Sequence, residues 1–208
     1  MNPTPALIYL VEDDAPVRDA LGLLLRTVGY EVSAHAGAAS LLAEVDPAAH
    51  GCIVLDIRLL GISGLSLASQ LQARGVRLPL VFISAHADVP TTIQAFKLGA
   101  IDLLQKPIHE QSLIDAVERA LQQDAAHKAV AHDTADRMAR LRLLTEREMG
   151  VLRSIARGNT NRELADAWGV STRTVESHRA NLLDKLDVRH TLELAPYVSL
   201  LDERQPAA

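Results

Sequence analysis

At 208 residues, nearly half of them apolar, the chain has room for one large domain or two small ones and is too hydrophobic to be disordered throughout. Its single cysteine, Cys52, excludes an intramolecular disulfide framework and suits a reducing compartment, where its plainest role is a buried strand residue. A net charge of −5 excludes a protein coated with positive charge. The acid excess is confined to residues 1–123, with eight Lys and Arg against thirteen Asp and Glu, while residues 124–208 balance. The apolar run Ala6–Val11 is short, lacks a basic lead-in and meets Glu12 at once, and no apolar stretch approaches the ~20 residues that span a bilayer. A soluble, cytoplasmic protein without membrane attachment is therefore expected.

Short apolar runs alternate with amphipathic stretches through the first ~120 residues, the pattern of βα units on a parallel sheet. It predicts strands at Ala6–Val11, Tyr30–Ala34, Cys52–Leu55, Leu80–Ile83 and Ala100–Leu104. Helices are predicted at Ala15–Val28, Ala38–Val45, Leu65–Ala73, Val89–Leu98 and from Glu110 onward. Gly29, Gly75 and Gly99 each follow a helical run, where a left-handed C-terminal cap is expected. The implied fold is a doubly wound α/β sheet, which places its site at the carboxyl ends of the strands.

From Gln122 to Arg142 the chain is rich in Ala, His and charge, without Gly or Pro, and reads as a helical linker. His127 and His132 do not share a helical face, so no metal site is expected there. Beyond it everything is helical. Thr145-x-x-Glu148 and Thr160-x-x-Glu163 match the capping box, and Gly158-Asn159 separates the two helices they begin. Trp168–Val170 form a tight turn, and Ser171 caps a helix from Thr172 to about Leu186. A last helix, Leu192–Leu201, carries an apolar stripe suited to a dimer face. The domains expected are 1–122, a linker at 123–141, and 142–208.

Chemistry gathers at the predicted strand ends. Glu12-Asp13-Asp14 follow the first strand, Asp56 the third, Ser84 the fourth and Lys106 the fifth. If the first and third strands are neighbours, Asp13 and Asp56 converge in one crevice, a hard-oxygen site suited to Mg²⁺. An ammonium and a hydroxyl beside it would bind two oxygens of a phosphoryl group, and a carboxylate so placed can act as nucleophile and form an acyl phosphate.

The motifs Val11-Glu12-Asp13-Asp14, Leu55-Asp56-Ile57-Arg58, Phe82-Ile83-Ser84-Ala85-His86 and Gln105-Lys106-Pro107 resemble the receiver domain of two-component response regulators over residues ~5–122. The flavodoxin-like order 2-1-3-4-5 comes with that resemblance. It implies Asp56 as phosphoacceptor and a Mg²⁺ site of Asp13, Asp56, the Arg58 carbonyl and Glu12 through water. It further implies Ser84 and Lys106 on the phosphoryl oxygens and a cis Lys106-Pro107 peptide. Ser84-Ala85-His86-Ala87-Asp88-Val89-Pro90 is most similar to the FixJ branch. Two positions depart from the family: Leu60 stands where proline is usual, and Leu103 where a Tyr or Phe switch residue is usual. His86, two residues past Ser84, either positions water or is a packed loop side chain.

In the last third, Asn161–Ala167, the turn and Thr172–Leu186 form a helix-turn-helix pattern. Val175, Leu182, Leu183 and Leu186 make a core stripe. Thr172, Arg173, Thr174, Glu176, Ser177, His178, Arg179, Asn181 and Lys185 offer donors to phosphates and base edges, with Glu176 either accepting from cytosine or solvated. Periodicity alone allows a protein-binding bundle equally well. Leu144-Thr145-x-Arg147-Glu148, Gly158-x-x-Asn161-x-Glu163-Leu164-Ala165 and Val170-Ser171-x-x-Thr174-Val175-x-x-His178 resemble the LuxR/NarL-type DNA-binding domain over ~140–201. That resemblance implies Thr172–Lys185 as recognition helix, Leu192–Leu201 as dimerisation helix and paired half-sites. The partners implied are a sensor histidine kinase, promoter DNA, a second copy when active and RNA polymerase, and no enzymatic activity is implied. Two alternatives stay open: a regulator binding DNA independently of phosphate, and a receiver serving as a phosphate sink.

Overall fold

The alternation of apolar and amphipathic segments folds into a five-stranded, wholly parallel sheet in the computed structural model, which describes residues 6–86 and 88–202. The elements are β1 (Leu7–Val11), α1 (Ala15–Val28), β2 (Glu31–His35), α2 (Ala38–Glu44), β3 (Gly51–Asp56), α3 (Gly64–Ala73), β4 (Leu80–Ser84), α4 (Val89–Lys97), β5 (Ala100–Gln105) and α5 (Glu110–Leu141). Strand order is β2-β1-β3-β4-β5. The winding reverses between β1 and β3, which opens a crevice at their carboxyl ends. Val11 is in register with Leu55, so the residues that follow the two strands emerge side by side.

Both faces of the sheet are covered, and the period-two alternation of β3 shows it. Ile53 and Leu55 pack with Tyr9, Val11, Phe82 and the α2 and α3 residues Leu41, Leu67 and Leu71. Cys52 and Val54 face the other way, against Ile8, Leu10, Ile83 and the α1 and α5 residues Leu25, Leu113 and Val117. Burial pushes the Cys52 thiol up to about 12, in keeping with an inert core residue.

The expected β2 begins one residue late, for a physical reason. The Tyr30 amide donates to the Leu25 carbonyl and Gly29 to Arg26, a Schellman closure that assigns Tyr30 to the end of α1. Gly29, Gly75 and Gly99 all take positive φ, as expected. Near the crevice Gly64 is needed for space: a Cβ there would lie 2.2 Å from the Asp56 carbonyl oxygen.

α5 carries the i,i+4 pairs Asp124–Lys128 and Asp133–Arg137. The chain divides into two compact units, Met1–Lys128 and Ala129–Ala208. The second unit holds α6 (Glu146–Ala156), α7 (Asn161–Trp168), α8 (Thr172–Leu186), a 3-10 turn (Thr191–Leu194) and α9 (Ala195–Asp202). Both capping boxes form, and Ser171 accepts from the Thr174 amide as N-cap of α8. The expected last helix is split, because Pro196 favours the first turn of a new α-helix and ends the 3-10 segment before it. Leu141, Val151, Leu152, Leu182, Leu186, Leu194 and Tyr197 form its core. No helix among the described residues is long and apolar enough to cross a membrane. Ala87, within the stretch similar to the FixJ branch, and residues 203–208 of the expected C-terminal domain lie outside the described residues.

Candidate functional site

The crevice gathers the strand-end residues into one polar cluster. Glu12 and Asp13 leave β1, Asp56 closes β3, and single oxygens of the three carboxylates all lie within 4.8 Å of one another. Lys106, just past β5, reaches across β4: its Nζ donates to Asp56 Oδ2 at 2.5 Å and Glu12 Oε2 at 2.7 Å. The other Asp56 oxygen, Oδ1, accepts from the Arg58 amide at 2.9 Å. Glu12 and Asp56 are 1% and 4% exposed, yet every oxygen named here has a donor or a cation beside it.

Burial raises the Glu12 carboxyl above its ordinary value; the Lys106 hydrogen bond pulls it back only in part, and the charge of Asp56 adds to the rise. For Lys106 burial acts downward, but hydrogen bonds and charge from Asp56 and Glu12 outweigh it, so the ammonium is held charged. Three carboxylates converging on one point form a hard-oxygen donor set that fits a divalent cation such as Mg²⁺. A fixed ammonium beside an ionisable carboxylate is suited to receiving an anionic electrophile.

Ser84 ends β4 fully buried. Its hydroxyl donates to the His86 carbonyl at 2.6 Å and accepts from the His86 amide at 3.2 Å, so it is engaged with its own loop. His86 itself is exposed. The Arg58 side chain is exposed, and the isolated bridge Arg58–Ser63 shapes the loop after β3. Leu60, in that loop, is 82% exposed. Leu103 on β5 is half-buried against the sheet face that contains Phe82. The Lys106-Pro107 peptide is cis.

Two residues of the first unit escape motif reading. Arg18 in α1 donates through Nη1 to the Glu12 carbonyl at 2.8 Å and the Asp13 carbonyl at 3.3 Å. Its place one turn after the N-cap Asp14 is the available signal, since helical side chains lean toward the helix start. Asp124, buried on α5, accepts from the Gly51 amide at 3.0 Å and ties α5 to the start of β3. Nothing local in the sequence marks that pairing.

On α8 the predicted residues sort by exposure. Thr172, Arg173, Thr174, Glu176, Ser177 and Asn181 are exposed, while Val175, Leu182 and Leu186 are fully buried. His178 is half-buried, edge-on to Trp168 with ring centroids 6.3 Å apart. Arg179 donates to Asn161 Oδ1 at 3.0 Å and Thr191 Oγ1 at 2.6 Å, clamping α8 to α7 and the 3-10 turn. Lys185 donates to Glu148 Oε2 at 2.8 Å. These two cations thus hold the helix in place inside the unit, whereas Arg173 points to solvent without a bond among the described residues. Arg147, from the Leu144-Thr145-x-Arg147-Glu148 motif, lies over the Trp168 ring at 4.8 Å.

Comparison with known proteins agrees with both halves. The response regulator receiver domain matches residues 8–118, and the luxR family of bacterial regulatory proteins matches residues 142–198. The transcriptional regulatory protein TdiR of Thauera aromatica is 38% identical over 194 residues, covering 92% of this chain and 84% of its own. FixJ of Azorhizobium caulinodans is 37% identical over 187 residues, covering 90% and 89%. The solved structure of the response regulator StyR is similar with a TM-score of 0.82 at 40% identity, covering 96% of this chain and 100% of that one. The chain belongs to the response regulators of the NarL/FixJ type, with a receiver domain followed by a LuxR-type DNA-binding domain.

Proposed function

We propose that Asp56 accepts a phosphoryl group from the phosphohistidine of a sensor histidine kinase, and that this controls promoter binding by α8. The observation that carries the reading is the double contact of Lys106 with Asp56 and Glu12 beside Asp13, at the switch point of the sheet. Glu12, Asp13, Asp56 and the Arg58 carbonyl would hold Mg²⁺, with Glu12 acting through water. When bound, the ion neutralises charge on the incoming phosphoryl oxygens.

The residues of the chain do the rest. An oxygen of Asp56 attacks phosphorus; the new P–O bond forms as the donor's N–P bond breaks, and the electron pair leaves on the imidazole nitrogen. Lys106 transfers its ammonium from the carboxylates to a phosphoryl oxygen. Ser84 exchanges the His86 carbonyl for another phosphoryl oxygen. Leu103 stands at the position through which the change leaves the crevice.

At the other end, Thr172, Arg173, Thr174, Glu176, Ser177 and Asn181 form the face offered to the major groove, with His178 at its edge and Arg179 and Lys185 holding the helix. Pairing of two copies through Leu192–Leu201 matches two half-sites; among the described residues Leu192 is 89% exposed while Leu194 and Tyr197 are buried in the core, so the segment presents an apolar side chain outward. A cytoplasmic location and contact with RNA polymerase follow from the same reading.

The test is mass spectrometry of the full chain after treatment with acetyl phosphate and Mg²⁺. One phosphoryl adduct is expected, absent in Asp56→Asn; an adduct that survives this substitution removes Asp56 as acceptor. A second reading, DNA binding independent of phosphate, is favoured by Leu103, which has no aromatic ring to swing between two positions. It predicts that the adduct forms while DNA affinity and sedimentation stay unchanged.

A further inference from the structure

We propose that Arg18 is a positioning residue for the cation site, holding the backbone of the acidic loop so that Glu12 and Asp13 present their carboxylates toward Asp56. This rests on the reading of that cluster as a Mg²⁺ site. The loop 12–14 lies between β1 and α1 and belongs to neither. Arg18 Nη1 binds two successive carbonyls of this segment, those of Glu12 and Asp13. The same loop is tied at Asp14, whose amide donates to Glu12 Oε1 at 3.3 Å and whose carboxylate caps α1 through the Val17 amide at 3.2 Å.

The two cations near the carboxylates act on different atoms. Lys106 binds the carboxylate oxygens of Glu12 and Asp56, which are the atoms a divalent ion or its water needs, so its contacts must be exchanged on loading. Arg18 binds main-chain oxygens instead, and those contacts survive whatever occupies the crevice. Arg18 is thus a restraint on ligand direction that uses none of the carboxylate oxygens an ion would take. Its charge acts the other way, since a nearby guanidinium disfavours a second cation. The guanidinium is part-exposed and solvent screens its charge, whereas the two hydrogen bonds act at contact, so positioning wins. Outer contacts of this kind are typically worth about 10–100-fold in metal affinity.

Calorimetric titration of the full chain with MgCl₂, comparing wild type, Arg18→Met and Arg18→Lys, tests the proposal. Amide exchange at residues 12–14 in metal-free protein gives a readout that needs no ion. Arg18→Met is expected to weaken Mg²⁺ about 10-fold and to speed exchange at those amides, with far-UV dichroism unchanged. Arg18→Lys, able to reach one carbonyl at a time, is expected to lie between. Unchanged or tighter Mg²⁺ binding in Arg18→Met overturns the proposal, as does unchanged exchange at 12–14. If Arg18→Met does not fold, Arg18→Lys decides, and wild-type affinity in that variant overturns it. Failure of the wild type itself to bind Mg²⁺ removes the metal reading, and this inference with it.

Discussion

Gly64 lies against the main-chain carbonyl of Asp56 so closely that a Cβ would come within 2.2 Å of that oxygen and 3.0 Å of its carbon. The contact is backbone to backbone, so no side-chain rotation relieves it. The start of α3 is thereby docked onto the residue that ends β3, and the Gly64 amide donates to the Ile57 carbonyl at 2.8 Å.

Gly64→Ala is therefore expected to push α3 away from β3 and shift Asp56. Overpacking of this kind costs about 1–3 kcal/mol. The measurement is urea unfolding paired with adduct yield from acetyl phosphate. Both should fall together; wild-type stability with normal yield would show that the backbone absorbs the extra carbon.

Lys106→Met leaves Glu12, Asp13 and Asp56 without the ammonium that two of them share. A loss of about 1–3 kcal/mol is expected in metal-free buffer, because charged oxygens are stranded in a buried crevice. Adding Mg²⁺ should restore part of it, since a ligand bound only by the folded state stabilises by mass action. Thermal melts with and without MgCl₂ check both steps. A melting temperature that ignores Mg²⁺ in variant and wild type alike argues against a cation site.

The strand-end residues were legible in the sequence because each closes a short apolar run, and the sheet order then brings them together. The helix-turn-helix was legible for a similar reason: its caps, turn and core stripe are all local signals. Contacts made by long side chains across the fold were not. Asp124 meets Gly51 over 73 residues, and neither end carries a pattern that names the other. The polar side of α8 presented Arg173, Arg179 and Lys185 as equivalent cations, although two of them fold back on Asn161, Thr191 and Glu148. Spacing tells which way a Cα faces; it does not tell where a flexible guanidinium ends.

That difference separates two arginines experimentally. Arg173→Ala removes an exposed cation from the outer face of α8, so DNA affinity should drop by about 1–3 kcal/mol while stability holds. If the contact is to a phosphate, the slope of log affinity against log salt should also fall by about one. Arg179→Ala removes two internal hydrogen bonds and should lower stability. Fluorescence anisotropy on duplex DNA and urea unfolding, run on both variants, give the comparison. Equal loss of stability in the two would remove the distinction.

Glu148 gives the second unit a defined response to acid. It accepts from the Thr145 amide at 2.8 Å and from Lys185 at 2.8 Å. Burial acts to raise its carboxyl, but the Lys185 hydrogen bond and those from Thr145 outweigh it, so it lies below the ordinary 4.5. A carboxylate depressed in the folded state gives up its proton more readily there than in the unfolded chain. Its contribution is thus complete above about pH 4.5 and is lost as pH falls through the lower folded value. Glu148→Gln keeps a capping acceptor but loses the ion pair, and should cost about 1–2 kcal/mol at neutral pH. Urea unfolding followed by fluorescence of Trp168, the only tryptophan and packed against the core of this unit, reports on it alone. The gap between variant and wild type should be flat from neutral pH down to about 5 and close below 4.5. A gap that persists undiminished into strong acid would mean that the side chain contributes by packing and not by charge.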